Sequence, residues 1–180
     1  MKHDDIHIIK EVLGGKSEQF EHILNRYGGQ VFNLIAHIVP CKEDAEELTQ
    51  DVFIKVFRQL PSFKEESSFS TWIYRIATNT ALSALRKKKH DTINIEDNAY
   101  GDIPDELLDE ALDNDSEEQL QRLSDAIEML SADERALITL YYMNEKPVAE
   151  VASILGLTVS NVKIKLLRTR KKLYLILNDL

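Results

Sequence analysis

Apolar residues recur along most of this chain at three- and four-residue steps, the period of helices that bury one face. The stretch 4–13 (DDIHIIKEVL) keeps that spacing up to Gly14-Gly15, a stop signal. Ser17 opens a longer run, with Phe20, Ile23, Leu24, Tyr27, Val31, Phe32, Ile35 and Ile38 on one broad face. Gly28-Gly29 interrupts it, a place where another helix is expected to pack closely, and Pro40 ends it. A third helix is predicted over about 43–60, its stripe made of Ala45, Leu48, Val52, Phe53, Val56 and Phe57. A fourth is predicted within 67–90, from Phe69, Trp72, Ile73, Ile76, Ala77, Ala81, Ala84 and Leu85, with Ser70 as its N-cap.

The period lapses after His90 and returns near Glu118. Leu120, Leu123, Ile127 and Leu130 mark one helix, and Ser131 with Glu134 forms a capping box for the next. Asn144 and Pro147 break the chain. A short helix over Val148–Leu155 then ends at Gly156, and Thr158 caps a last helix, the pattern of a helix-turn-helix. Its packed positions are expected at Ala149, Val151, Ala152 and Leu155 on the first helix and Val162, Leu166 and Leu173 on the second. Few glycines and prolines and no alternating strand pattern make the chain all-α.

Charge changes this picture. The net charge is −9, but the stretch from Asp91 to Gln121 holds twelve acids and no Lys or Arg, so without it the chain stands at +3. That stretch has the composition of a linker unable to bury enough surface to fold by itself, apart from a short helical turn at DELLDEAL (105–112). Two helical units flank it. One cysteine, Cys41, excludes an internal disulfide and fits a reducing compartment. His37 and Cys41 lie four apart, but no second pair stands at metal-ligand spacing, and no metal site is expected. The opening residues MKHDDIHII do not read as a secretory signal, and no apolar run reaches the length of a membrane span.

The stretch 67–90 has no acid, ends in Arg86-Lys87-Lys88-Lys89, and sets Tyr74, Arg75, Thr78, Asn79, Thr80 and Ser83 off its apolar stripe. Aromatic faces, short polar groups and positive charge suit single-stranded nucleic acid, where bases stack and phosphates need neutralising. The same aromatics also suit a helical core, with the basic run as a solvated helix end. On the last helix, turning Val162, Leu166 and Leu173 inward points Ser160, Ile164, Leu167 and Lys171 outward, flanked by Lys163 and Arg168. A face with six Lys/Arg between 163 and 172 suits the major groove and its phosphates. Ile164 and Leu167 are placed to touch thymine methyl groups. The acids Glu43, Asp44, Glu46, Glu47 and Asp51 crowd the first half of the third helix, either as a solvated face or as a docking one.

The succession DAEELTQDVFIKVFRQLPSF (44–63), SSFSTWIYRIATNTALSALRKKK (67–89) and LSADERALITLYYMNEKPVAEVASILGLTVSNVKIKLLRTRKKL (130–173) resembles the bacterial RNA polymerase sigma factors of the extracytoplasmic-function group. The resemblance implies a four-helix region 2 bundle over 1–90, a flexible acidic linker over 91–118 and a region 4 helix-turn-helix domain over 119–180. It implies a transcription initiation factor, not an enzyme, working in the cytoplasm without cofactor, metal or membrane insertion. Its partners would be core RNA polymerase, promoter DNA and an inhibitory anti-sigma protein. By resemblance, Glu47, Gln50, Asp51 and Ile54 meet the polymerase. Phe69, Ser70, Trp72, Tyr74, Arg75, Asn79, Thr80, Ser83, Arg86 and Lys87 open and hold the minus-ten element, with Asn79 at the family's characteristic asparagine. Ser160, Asn161, Lys163, Ile164, Lys165, Leu167, Arg168, Arg170 and Lys171 read the minus-thirty-five element. The chain departs from the family at Ser83, Ile164 and Thr169, which bears on promoter sequence and leaves the mechanism alone. In the free protein the two DNA faces are expected to turn towards each other. A stand-alone helix-turn-helix regulator is the competing reading; it would need no polymerase-docking face.

Overall fold

The computed structural model describes residues 2–88 and 117–179, and among them every regular element is helical. The DELLDEAL turn lies outside the described residues. The first module holds α1 (Lys2–Leu13), α2 (Phe20–Ile38), α3 (Lys42–Gln59) and α4 (Phe69–Lys88). The second holds α5 (Glu117–Glu128), α6 (Ala132–Ile138), α7 (Val148–Leu155) and α8 (Val159–Asp179).

α1 stops at Gly14-Gly15 as expected. Gly15 has φ +101°, a left-handed conformation that glycine alone adopts without strain, while the Gly14 N–H caps the Lys10 carbonyl at 2.9 Å. Arg26 of α2 bridges the carboxylates of Asp4 and Asp5, and the Tyr27 hydroxyl donates to Asp5 at 2.8 Å. These bonds let the buried Asp5 sit beneath the bundle without an unpaired charge.

The module core is built from Ile23, Val31, Leu34, Ile35 and Ile38 of α2, Val52 and Val56 of α3, and Ile73, Ala77 and Ala81 of α4. Two expectations fail here. A Cβ added at Gly28 or Gly29 meets nothing within 4 Å, so no helix crosses at that point. Phe57 is 43% exposed, in a T-shaped contact with Phe20, ring centroids 5.1 Å apart. The buried stripe of α3 runs through Ala45, Val52, Phe53 and Val56, and Phe57 falls just past its border.

The cap of α4 also moves. The Thr71 N–H donates to Ser68 Oγ at 3.1 Å, so Ser68 caps the helix and Ser70 lies in its first turn. The cause is Phe69, which must be helical to bury itself between Tyr27 (5.9 Å) and Phe63 (5.2 Å) and to stack on Trp72 at 5.6 Å.

In the second module the capping box forms as written: Glu134 N–H donates to Ser131 Oγ at 3.3 Å and Ser131 N–H to Glu134 Oε2 at 2.8 Å. α6 widens into a π turn at Thr139–Met143, with Asn144 N–H reaching the Thr139 carbonyl at 2.9 Å. Gly156, at φ +67°, turns the chain between α7 and α8, and Thr158 Oγ1 accepts from the Asn161 N–H at 3.2 Å. Val162, Leu166 and Leu173 face inward as expected. On α7 the inward positions are Val151, Ala152 and Ile154; Ala149 is exposed and Leu155 half-buried.

Lys172 corrects the count of cations on the outer face of α8. It is 6% exposed and its Nζ donates to Glu134 Oε2 at 2.9 Å. Burial by itself would raise the Glu134 carboxyl, but the bonds from Lys172 and Ser131 outweigh it and hold its pKa below the usual value. A carboxylate depressed in this way stabilises the fold above its unfolded pKa and loses that contribution as pH falls through the folded one. Glu134→Ala should strip the cap and leave a buried ammonium unpaired, costing about 3 kcal/mol. Thermal melts followed by circular dichroism should show that loss at pH 7 and a gap between variant and parent that narrows as the solution is taken below pH 4.

Candidate nucleic-acid interface and docking face

The residues expected to act fall on three helices, and the structure treats each set differently. On α3, Glu47, Gln50, Asp51 and Ile54 are all exposed. Beside them runs a shallow groove of about 600 Å³ between α2 and α3, lined by Phe20, Leu24, Gly28, Gln50, Ile54 and Phe57. It is almost wholly apolar, with Ile54 48% and Leu24 39% exposed. An acidic helix face beside an uncovered apolar groove has the make-up of a protein-docking surface. Gly28 leaves room at the groove wall.

α4 splits its candidates between two faces. Phe69 and Thr80 are buried, and the Thr80 hydroxyl accepts from Lys55 Nζ at 3.1 Å, so both serve the bundle. Arg75, Asn79, Ser83, Arg86 and Lys87 are exposed, at steps of four and three that make one polar stripe. Ser70 and Trp72 are half-buried at its upper end. Tyr74 is 2% exposed. Its hydroxyl donates to Gln30 Oε1 at 2.9 Å, and burial raises its pKa.

Region α8 keeps its outer face open. Ser160, Asn161, Lys163, Ile164, Lys165, Leu167 and Arg168 are exposed, with Ile164 at 50% and Leu167 at 41%; Arg170 and Lys171 are half-buried. Cations flank a small apolar patch on the outer face of a helix whose inner face packs on its own module, the arrangement of a helix that enters a major groove.

The two modules are packed together, and the expected meeting of their candidate faces is partial: Asn79 and Arg86 of α4 line one crevice with Lys165 and Arg168 of α8. α7 lies along α4 and α6 lies against α2, while Ser160, Lys163, Ile164 and Leu167 of α8 stay exposed. α7 covers only the upper end of α4, at Thr71 and Tyr74, and the stripe Arg75, Asn79, Ser83, Arg86 and Lys87 stays exposed. Thr71 donates to Glu150 Oε2 of α7 at 3.1 Å, and Lys146 Nζ stands 4.8 Å above the Tyr74 ring. Lys146 is held there by Glu150 at 3.9 Å. Further along, Arg86 pairs with Asp133 at 3.8 Å beside a crevice of about 490 Å³ that Asn79, Leu82, Leu155, Lys165 and Arg168 also line.

Sequence reasoning missed Arg135. Its guanidinium donates to the Ile38 carbonyl at the end of α2 through Nε (3.2 Å) and Nη2 (2.8 Å). Through Nη1 it also serves the Glu128 and Leu130 carbonyls, each at 2.9 Å. One side chain thus satisfies unpaired carbonyls at two helix ends, one in each module. A signal existed: α2 ends at Val39-Pro40 without the glycine that normally supplies such a cap.

Among the described residues no three His, Cys, Asp or Glu side chains gather as a metal site. His37 Nδ1 lies 2.6 Å from the Asn33 carbonyl, and Cys41 Sγ donates to Glu43 at 2.9 Å. No helix among the described residues is long and apolar enough to cross a membrane.

Gly28→Ala should raise the stability of the first module by roughly 0.5–1 kcal/mol, since its Cβ meets open space and a helical glycine loses more chain entropy on folding. An unchanged or lowered melting temperature would mean that the backbone there needs glycine after all.

Comparison with known proteins accounts for this division of surfaces. Sigma-70 region 2 matches residues 23–90 and Sigma-70 region 4 matches residues 120–173. The ECF RNA polymerase sigma factor SigW of Bacillus subtilis is 30% identical, over 96% of this chain and 96% of its own length. The ECF RNA polymerase sigma-E factor of Escherichia coli is 32% identical, over 91% of this chain and 89% of its own. The fold is shared with sigma factor RpoE of Bartonella quintana, solved in complex with anti-sigma factor NepR (TM-score 0.66, 23% identity, 89% of this chain and 98% of that one). It is shared also with CnrH, solved in complex with the cytosolic domain of CnrY (TM-score 0.68, 20% identity, 96% of each). With region 2 and region 4 in that order on an all-helical frame, the chain belongs to the sigma-70 family as an extracytoplasmic-function sigma factor, a transcription initiation factor that binds core RNA polymerase and directs it to promoters.

Proposed function

We propose that this sigma factor divides its work among the three helix faces as follows. The outer face of α3, through Glu47, Gln50, Asp51 and Ile54, docks on core polymerase, with the adjoining groove taking apolar side chains of that partner. The stripe Arg75–Asn79–Ser83–Arg86–Lys87 on α4, with Ser70, Trp72 and Tyr74 at its upper end, receives the separated minus-ten strand. Phe69 and Thr80 hold that helix in place from behind. α8 enters the major groove of the minus-thirty-five element through Ser160, Asn161, Lys163, Ile164, Lys165, Leu167 and Arg168, with Arg170 and Lys171 towards the phosphates. The working units are residues 1–90 and 119–180, joined by the acidic segment 91–118.

The observation that carries this reading is the open stripe of α4, polar and cationic on a helix whose opposite side is wholly committed to the bundle. Extruding a base costs a few kcal/mol of stacking and pairing, which pocket contacts must return. A small helical module lacks the contact area to do this unaided, so docking on a large enzyme that already holds the duplex supplies the rest. The protein acts in the cytoplasm, carries out no chemistry itself, and is held in check by an anti-sigma protein. Support for that last partner comes from RpoE of Bartonella quintana, solved in complex with the anti-sigma factor NepR.

Transcription in vitro with purified core polymerase on a promoter library tests the whole reading: initiation should depend on the added factor. Ile54→Glu should weaken core binding by about tenfold or more while leaving the melting temperature unchanged, since a buried unpaired charge at a docking face costs several kcal/mol. A stand-alone regulator would keep its DNA activity in that variant. Lys163→Ala should lower the salt slope of binding to minus-thirty-five duplex by about one, the loss of a single phosphate contact.

A further inference from the structure

The exposed stripe of α4 has a gap in its charge. Its cations are Arg75 at one end and Arg86 and Lys87 at the other, and the ten residues 76–85 include no Lys or Arg. At 1.5 Å per residue the gap is roughly 16 Å long, enough for two or more phosphates of a strand laid along the helix. Asn79 and Ser83 fill it with neutral groups, which can hydrogen-bond a base edge but do not balance a phosphate.

The neighbouring helix places a cation in that gap. Lys55 of α3 is exposed, and its Nζ reaches across to the Thr80 hydroxyl at 3.1 Å. Thr80 lies about midway along the uncharged interval, next to Asn79 and three residues before Ser83. The other sides of α3 are committed elsewhere. Val52 and Val56 enter the core, and Gln50, Ile54 and Phe57 border the apolar groove towards α2, which Lys55 does not line. Among the described residues Lys55 makes no ion pair, and its bonded partner is a neutral hydroxyl. That bond uses one of the three N–H donors of the ammonium and leaves its charge uncompensated. Nor does Thr80 depend on it, since a helical threonine can turn its hydroxyl to the carbonyl one turn back.

We propose that Lys55 is a further DNA-binding residue of this factor, giving its remaining donors to a phosphate of the separated minus-ten strand in the interval between Arg75 and Arg86. The site for the strand then spans two helices, with cations from α4 at both ends and one from α3 between them. Thr80 holds the long lysine side chain at the edge of the stripe beforehand, so less rotamer freedom is lost when the phosphate arrives. The inference rests on the assignment of α4 to the strand proposed above.

The test uses the full chain bound to core polymerase and a fluorescein-labelled fork template, its minus-ten strand taken from a promoter that the transcription library recovers. Binding is followed by anisotropy over a series of potassium chloride concentrations. Lys55→Gln keeps a hydrogen-bond donor and removes the charge. It should weaken template binding about three- to tenfold at low salt and lower the salt slope by about 0.7, the share of one phosphate on a single strand. Lys55→Arg should restore both. Templates in which one phosphate at a time is replaced by a neutral methylphosphonate then locate the contact. The parent should lose affinity at a phosphate where Lys55→Gln loses nothing further, a readout that a merely structural lysine would not move. Thr80→Val removes the acceptor but not the charge, and should keep the parent's slope. An unchanged slope in Lys55→Gln, or a methylphosphonate profile in that variant identical to the parent's, would overturn the proposal. So would weaker binding of Lys55→Gln to core polymerase, which would place Lys55 on the docking face instead. Arg75→Gln separates the inference from the reading beneath it. If Arg75→Gln lowers the slope and Lys55→Gln does not, the assignment of Lys55 alone falls; if neither does, α4 does not carry the strand.

Discussion

Twenty residues of α4 must satisfy two demands at once. One side supplies Phe69, Ile73, Ala77 and Ala81 to the core of the first module, and the other carries Arg75, Asn79, Ser83, Arg86 and Lys87 as an exposed polar stripe. A helix can do both because its side chains divide by angle, but the division leaves little slack. Residues at the border, Thr71, Tyr74 and Thr78, belong to neither side completely. All three are buried; Thr71 meets Glu150 and Tyr74 meets Lys146 of the second module, while the Thr78 hydroxyl has no partner.

That compromise organises the rest of the structure. The aromatic cluster of Tyr27, Phe63, Phe69 and Trp72 fixes the start of α4, so the polar stripe below it has a set orientation. The Asp4–Asp5–Arg26–Tyr27 network ties α1 across the bundle and holds Tyr27 in that cluster. In the second module the Ser131–Glu134–Lys172 chain does similar work. It joins the start of α6 to the middle of α8, so α8 is anchored from within while Ser160, Ile164 and Leu167 on its outer face stay exposed. Each module holds a buried charge on bonded partners, Asp5 on Arg26 and Tyr27, and Lys172 on Glu134.

Charge segregation fits the same scheme. An overall charge of −9 is unfavourable for meeting DNA, yet the cations of α4 and α8 lie on two continuous faces and the acids elsewhere. Electrostatic attraction acts over roughly a Debye length, so what a phosphate meets is the local face and not the sum over the chain.

The helices, the capping box at Ser131, the turn at Gly156, the inward set Val162–Leu166–Leu173 and the family itself were all legible in the amino-acid order. Each depends on periodicity, on a side chain bonding within its own turn, or on motif succession, and these are local properties of a sequence. Tertiary contact decided the rest. Ser68 rather than Ser70 caps α4 because Phe69 is drawn into an aromatic cluster assembled from three segments. Lys172 left the basic face because Glu134, thirty-eight residues earlier, stands beside it in space. Phe57 stayed exposed, and the glycines of α2 met nothing, because no further helix covers that side. Arg135 became a bridge only when α2 from the other module came within reach of it. The sequence by itself determined which elements form and what each face is made of. Which faces meet, and so which are covered, depended on partners that are distant in the chain and adjacent only in the fold.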